Sequence, residues 1–194
     1  MTEERANRLK EVIALRQSDI TVVLENVFDP HNVSAIMRTC DAVGIQVIHV
    51  LNTKIPRHKK WGYRSSSGAK KWLSVHQFDN VDECFTKLRA NYQTILATHL
   101  SHDAVSVYEV DFTSSMALVF GNEHCGVSEE ILARADGFFQ IPQVGLSKSL
   151  NISVACAVCL YEAFRQKMKA GHYQNNHSET VFKESVQKLW RLRE

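Results

Sequence analysis

The sequence predicts an α/β fold, a mostly parallel sheet with helices on both faces. Short runs that are almost wholly apolar recur at Thr21–Leu24, Val47–Val50, Trp72–Val75, Thr94–Thr98, Ala117–Phe120 and Phe138–Ile141. Strands covered on both faces read this way, whereas strands with one wet face alternate. Segments with helical apolar spacing fall between them, at about Val33–Val43, Val81–Asn91, Glu129–Ala135 and Asn151–Lys169. Strand and helix in alternation are the pattern of linked βαβ units.

The 194 residues suit one domain with a sizeable core and short extensions. Residues 3–17 open the chain as an amphipathic helix marked by Leu9, Val12, Ile13 and Arg16. A polar linker, Gln174 to Glu179, precedes a short terminal helix whose apolar face is Phe182, Val186, Leu189 and Trp190. So short a stripe needs a surface to bury against, on this subunit or a second one. A 44% hydrophobic and 23% charged composition is ordinary for a soluble protein, and at net charge +2 any attraction to nucleic acid must come from local clustering. The N-terminus has no apolar core of the signal-peptide kind, and Ile152 to Tyr161 is too short to span a bilayer, so a cytoplasmic location and no membrane partner are expected. Cys40, Cys84, Cys125, Cys156 and Cys159 are an odd, scattered set and read as buried, reduced thiols. His49, His76 and His99 lie in or beside strands and read as structural residues, and no metal site is expected.

Three stretches carry chemistry. Asp29-Pro30-His31-Asn32 starts a helix, with Asn32 as a candidate N-cap; Val33, Ile36, Met37 and Cys40 form its buried face, and His31, Ser34 and Arg38 another. Arg38 there either grips a phosphate or oxyanion or makes a surface contact with Asp41 or Ser34. Gly121 to Ser128 follows an apolar strand and sets glycines around Glu123. It is neither G-x-G-x-x-G nor a Walker A loop, and its carboxylate suits a nucleoside with an amine and a ribose better than a phosphate. Pro142 ends the strand at Ile141, and a loop with Gly145, Ser147 and Ser149 leads to a long apolar helix from about Asn151. Backbone N–H groups and a positive helix end gather at such a junction.

A fourth stretch has a different character. From Leu51 to Trp72 there are seven basic residues (Lys54, Arg57, Lys59, Lys60, Arg64, Lys70 and Lys71) and no acidic one, interleaved with Trp61, Tyr63 and Trp72. Cations for phosphates and aromatics for unstacked bases are materials of an RNA-binding loop, against the plainer reading of a solvated basic loop.

Together the three motifs resemble those of the SpoU/TrmH family of RNA ribose 2′-O-methyltransferases, in the SPOUT class. The first is Asn26 with Pro30 to Ile36 and Arg38, the second Phe120 to Glu123 with Gly126 to Ser128, the third Ile141-Pro142 with Ser149 to Ala155. The similarity runs from about residue 5 to residue 173, and within the family it is nearest to the enzymes that methylate guanosine-18 in the tRNA D-loop. The resemblance implies a C-terminal trefoil knot, S-adenosylmethionine as cofactor, tRNA as substrate and a homodimer with sites near the subunit interface. It also implies an N-terminal helical extension over 1–18, a methyltransferase domain over 19–170 and a C-terminal linker and helix over 171–194. Carried onto this chain, Thr98, Gly121, Ile141, Gly145 and Leu150 would hold the cofactor. Asn32, Arg38, Glu123, Ser149 and Asn151 would form the reaction centre. The family mechanism makes Arg38 the general base. A guanidinium stays protonated in proteins, so the physical variant has Arg38 stabilise the developing alkoxide and grip the adjacent phosphate. The chain departs from its relatives at Gln143, Leu146, Ser147 and Lys148 and in the loop Leu51–Ser67, which bears on which RNA is accepted. The alternatives are a different tRNA position or ribosomal RNA as target, or a non-catalytic RNA-binding protein of the same fold.

Overall fold

The computed structural model describes residues 2–58, 68–147 and 149–174, with 184, 186–188 and 190 in the terminal segment. Strands β1 (Ile20–Glu25), β2 (Val47–Leu51), β3 (Ser74–Phe78), β4 (Thr94–Thr98), β5 (Val105–Ser106), β6 (Met116–Phe120) and β7 (Gly137–Gln140) form a seven-stranded sheet in the order β3-β2-β1-β6-β4-β7-β5. Every pairing is parallel; at the centre Val22 lies beside Ile48 on one side and Leu118 on the other.

All six residues of β1 are buried, which is why its run is continuously apolar apart from Thr21 and Glu25. Successive side chains feed opposite cores. Val22 and Leu24 of β1 and Leu118 and Phe120 of β6 face helices α2 (Pro30–Ala42) and α5 (Ile152–Lys169), packing with Ile36, Met37, Cys156 and Leu160. Val23, Ala117 and Val119 face α3 (Val81–Arg89) and the single turn α4 (Glu129–Leu132), packing with Cys84, Leu88 and Ile131.

Several boundaries differ from the sequence reading. β3 starts two residues late, because Ala69–Trp72 forms a 3-10 turn and leaves Trp72 beside the sheet. β5 was not expected at all: two residues offer no periodicity. Asp29, not Asn32, caps α2; its Oδ1 accepts the His31 N–H at 2.8 Å and leaves the Asn32 carboxamide free for other work. Four cysteines are buried, but Cys125 is exposed on a loop, against expectation. Burial pushes the Cys84 and Cys159 thiols up to about 12, so both stay protonated.

Helix α1 (Glu3–Ala14) ends three residues early, and Arg16 turns inward at 1% exposure to bond Asp41 and, at 3.1 Å, the Ile45 carbonyl. Ile13, Val186 and Trp190 form a small separate core with Trp72. Trp190 Nε1 donates to the Trp72 carbonyl at 3.1 Å, and the Arg16 guanidinium lies 5.3 Å from the Trp190 ring. The terminal stripe thus buries against its own chain. Phe182 and Leu189 lie outside the described residues.

Candidate active site

Because all strands run the same way, the loops after β1, β4, β6 and β7 emerge at one edge of the sheet, where open α/β sheets bind ligands. The loop after β6 is folded tightly on itself. Asn122 and Gly126 exchange both backbone hydrogen bonds at 2.9 Å, and Asn122 Oδ1 accepts the His124 N–H at 2.8 Å. A Cβ on Gly121 would stand 2.1 Å from the Gly126 carbonyl carbon, so no larger residue fits there. Gly126 takes φ +69, a value that favours glycine.

This turn presents Glu123 to the start of α2. Glu123 Oε1 accepts from Asn32 Nδ2 at 2.8 Å, and Oε2 accepts the Phe28 N–H at 3.1 Å. Asn32 Oδ1 in turn accepts from Asn151 Nδ2 at 3.1 Å. The carboxylate accepts only, which fixes the Asn32 amide with its NH₂ toward Glu123 and its oxygen toward Asn151. Asn151 is itself held as the N-cap of α5, its Oδ1 accepting from Ser153 N at 2.8 Å and Ser153 Oγ at 2.6 Å. One residue from each motif is thereby joined in a single chain, Asn151–Asn32–Glu123. Partial desolvation works to raise the Glu123 carboxyl. The hydrogen bonds from Asn32 and from backbone N–H groups outweigh it, so its pKa lies below the ordinary value and it is ionised at neutral pH.

Arg38 is exposed on α2, two turns beyond His31, and bonds no described residue. The two surface contacts the sequence left open are both taken up elsewhere. Asp41 pairs with Arg16, and Ser34 Oγ donates to the Pro30 carbonyl at 2.9 Å. Arg38 is therefore available to an anion, but within one chain it is not in contact with Glu123, Asn32 or Asn151.

Beside the polar chain is a cavity of about 420 Å³. Thr98, Gly121, Ile141 and Leu150 line it, together with Glu123 and Ser149 from the expected reaction centre. Gly145 does not; it sits on the exposed part of the 142–147 loop, and a Cβ there would meet nothing within 4 Å. Phe120 and Phe139 meet edge to face, 6.2 Å apart, in the cavity wall, while Gln140 and Thr98 supply polar groups. Volume, apolar wall and scattered polar groups suit a nucleoside-sized ligand, so the residues present fit S-adenosylmethionine.

A family model described as the SpoU rRNA Methylase family matches residues 19–161, the segment holding all three loops. The chain belongs to this family. Over 191 residues it is 44% identical to the tRNA (guanosine(18)-2′-O)-methyltransferase of Thermus thermophilus, covering 97% of this chain and 96% of the relative. The A. aeolicus TrmH/SpoU tRNA modifying enzyme superposes with a TM-score of 0.88 at 38% identity, over 98% of this chain and 96% of that one. An AdoMet-bound rRNA methyltransferase from Sinorhizobium meliloti gives a TM-score of 0.70 at 28% identity, over 80% of this chain and 59% of that one.

In this SpoU methylase the basic segment begins beside the active site. Lys54 and Arg57 are exposed, Arg57 pairing with Asp79 at 2.8 Å, and Lys70 and Lys71 are exposed on the 3-10 turn. Lys59, Lys60 and Arg64, with Trp61 and Tyr63, lie outside the described residues, as does Lys148. Sequence reasoning missed His99, taken as structural but lining the cavity, and missed the exposed His124 and Cys125 and the half-buried Gln140 in its wall. Their position at or just after the ends of β4, β6 and β7 was the available signal, since those strand ends face the ligand edge. It also missed Glu25, whose buried Oε2 accepts the Ser128 N–H at 2.9 Å and anchors the far end of the Glu123 loop.

Proposed function

We propose that this protein methylates the ribose 2′-oxygen of guanosine-18 in the tRNA D-loop, using S-adenosylmethionine. The observation that carries the reading is the Asn151–Asn32–Glu123 chain at the lip of the cavity, which joins the three motifs around one pocket. The Thermus thermophilus relative, matched over nearly its whole length, supports guanosine-18 as the target.

The cofactor, when bound, supplies an electrophilic methyl carbon on a sulfonium. The work left to the protein is to hold the 2′-oxygen in line and stabilise its developing negative charge. Thr98, Gly121, Ile141 and Leu150 form the cofactor pocket, while Gly145 stands on the exposed loop outside it. Asn32, Ser149 and Asn151 orient the ribose, Glu123 fixes the Asn32 amide, and Arg38 stabilises the alkoxide and grips the neighbouring phosphate. The guanidinium remains protonated throughout, and solvent or phosphate accepts the proton. Lys54, Arg57, Lys59, Lys60, Arg64, Lys70 and Lys71 track the RNA backbone.

The protein acts as a cytoplasmic homodimer in this reading. Val154, Tyr161 and Met168, all exposed and seven residues apart on α5, supply an apolar seam for a second copy, which would bring Arg38 to a site it does not reach within one chain. The C-terminal half forms a trefoil knot. In its support, β7 inserts between β4 and β5, and β6 between β1 and β4, so late strands enter between earlier ones.

The test is methyl transfer from S-adenosylmethionine to unmodified tRNA transcripts, with the product located by nuclease digestion and mass spectrometry. A single 2′-O-methyl on guanosine-18 is expected. Methylation of another tRNA position or of ribosomal RNA would move the target, and cofactor binding without transfer to any RNA would overturn the enzymatic reading.

A further inference from the structure

Residues 26–28 are the one place among the described residues where the basic segment and the cavity wall both fasten to the same short loop. From the basic side, the Thr53 and Lys54 N–H groups both donate to Asn26 Oδ1 at 2.9 Å, and Asn26 Nδ2 donates to Thr53 Oγ1 at 3.1 Å. His58 Nε2 donates to the Val27 carbonyl at 2.8 Å, which fixes its tautomer. From the cavity side, Asn122 Nδ2 donates to the Asn26 carbonyl at 2.7 Å, and Phe28 N–H reaches Glu123. Asn26 is 4% exposed and, at φ 49, is the one non-glycine of the described residues in the left-handed region. A side chain persists there where its contacts over-determine it, and this carboxamide bonds three groups of the basic segment.

We propose that Asn26 is a positioning residue that couples RNA held on the 52–58 segment to the 121–127 wall of the cofactor cavity, so that RNA and cofactor tighten each other's binding. The inference rests on the reading of the protein as an RNA methyltransferase. The physical link is one residue long: whatever orders the Thr53–Lys54 backbone orders Asn26, and Asn26 carries the Asn122 side chain. A shift of the Thr53–Lys54 backbone moves Asn26 and with it the Asn122 side chain, so the loop position that suits the first ligand is already set for the second. Linkage requires the effect to be reciprocal.

Asn26→Gly keeps the left-handed backbone and removes all four side-chain bonds, the three to the basic segment and the 3.5 Å one from Nδ2 to Glu25 Oε1. S-adenosylhomocysteine affinity is measured by calorimetry with and without an unmodified tRNA transcript, alongside kcat and KM for that RNA. For the wild type, RNA is expected to tighten S-adenosylhomocysteine by about fivefold or more, the lower end of ordinary coupling. Asn26→Gly is expected to bring that ratio to within about twofold of unity and to raise KM for RNA, with little change in Kd for the cofactor product alone. His58→Ala, which leaves the Asn26 backbone untouched, is expected to lower the ratio too and stands in should the glycine variant fail to fold. Wild-type coupling retained in both Asn26→Gly and His58→Ala overturns the inference. A wild type that methylates RNA without coupling also overturns it and leaves the function standing. Coupling that Asn26→Gly abolishes, in a protein that transfers no methyl group, supports the inference and overturns the function. A wild type that binds no RNA overturns both.

Discussion

The two edges of the sheet carry similar amounts of polar chemistry and leave it in opposite states. At the edge where the strands begin, buried cations are matched: Arg16 bonds Asp41 and the Ile45 carbonyl, and Lys167, 1% exposed, holds Asp19 at 2.7 Å. At the edge where the strands end, Glu123 is held only by neutral donors, and Arg38, two turns along α2 from that edge, stands exposed with no bond to a described residue. Paired charges at the first edge tie α2 and α5 to the start of the sheet. The unpaired ones at the second leave a site whose electrostatics a ligand completes. A charge is informative about function when its obvious partners are already engaged.

The contrast breaks most visibly at Arg38. Arg38→Ala is expected to lower methyl transfer about a thousandfold, the upper range for removing a donor to a developing oxyanion, while cofactor affinity stays within about twofold because Arg38 does not line the cavity. Single-turnover kinetics and calorimetry separate the two. A parallel loss of cofactor binding would place Arg38 in the pocket and undo the distinction. The matched edge gives the opposite signature. Lys167→Ala removes a charged hydrogen bond from Asp19, leaving it His172 Nδ1 at 3.5 Å, and is expected to cost about 2 kcal/mol in urea denaturation, with kcat unchanged at temperatures where the variant is folded.

Acid sharpens the comparison by acting on neither edge. His49 is buried in mid-sheet, with Thr21 Oγ1 3.1 Å from its Nδ1 and His76 stacked at 5.4 Å. Burial, with smaller contributions from His76 and Lys87, pushes its pKa down from 6.5 to about 3. The folded state therefore keeps His49 neutral while the unfolded chain takes a proton. Stability is complete above pH 6.5 and falls as the pH drops from there toward 3, by up to about 1.4 kcal/mol per pH unit. Glu123, lowered from 4.5, contributes above the unfolded carboxylate value and loses its contribution only as the pH falls through its lower folded value. Denaturation between pH 5 and 6.5 should then steepen with His49 and flatten in His49→Phe; an unchanged slope would remove His49 as the cause.

The sheet was legible because strands buried on both faces must be apolar throughout, and five of the six runs read in the sequence fall on strands with small shifts. The reading failed where local pattern carried no information. β5 has two residues, and the shift at Trp72 is set by a partner more than a hundred positions away, Trp190. At the site, Glu123, Asn32 and Asn151 were named from motifs, but their connection was not visible. Asn32 in particular has a capping residue's composition and a different task, because Asp29 had already taken the cap. The ends of β4 and β7 point to His99 and Gln140 as residues of the ligand edge, but only the sheet order shows that both strands end at the same cavity as β6.

The smallest effect is expected at Ser128, which occupies the N-cap position of α4 as Asn151 does for α5. The likeness is superficial. Asn151 accepts from Ser153 and donates to Asn32, so its side chain holds both a helix end and the polar chain. The Ser128 hydroxyl makes no capping bond; what fixes that residue is its backbone N–H on the buried Glu25 carboxylate, which alanine retains. Asn151→Ala should cost about 1 kcal/mol as a lost cap and should also lower methyl transfer. Ser128→Ala should stay within about 0.5 kcal/mol and leave transfer within about twofold. Denaturation and methyl-transfer assays on the pair decide the matter. A tenfold loss of transfer in Ser128→Ala would show that its hydroxyl meets the ligand, and the open edge of the sheet would then extend past Glu123 to the start of α4.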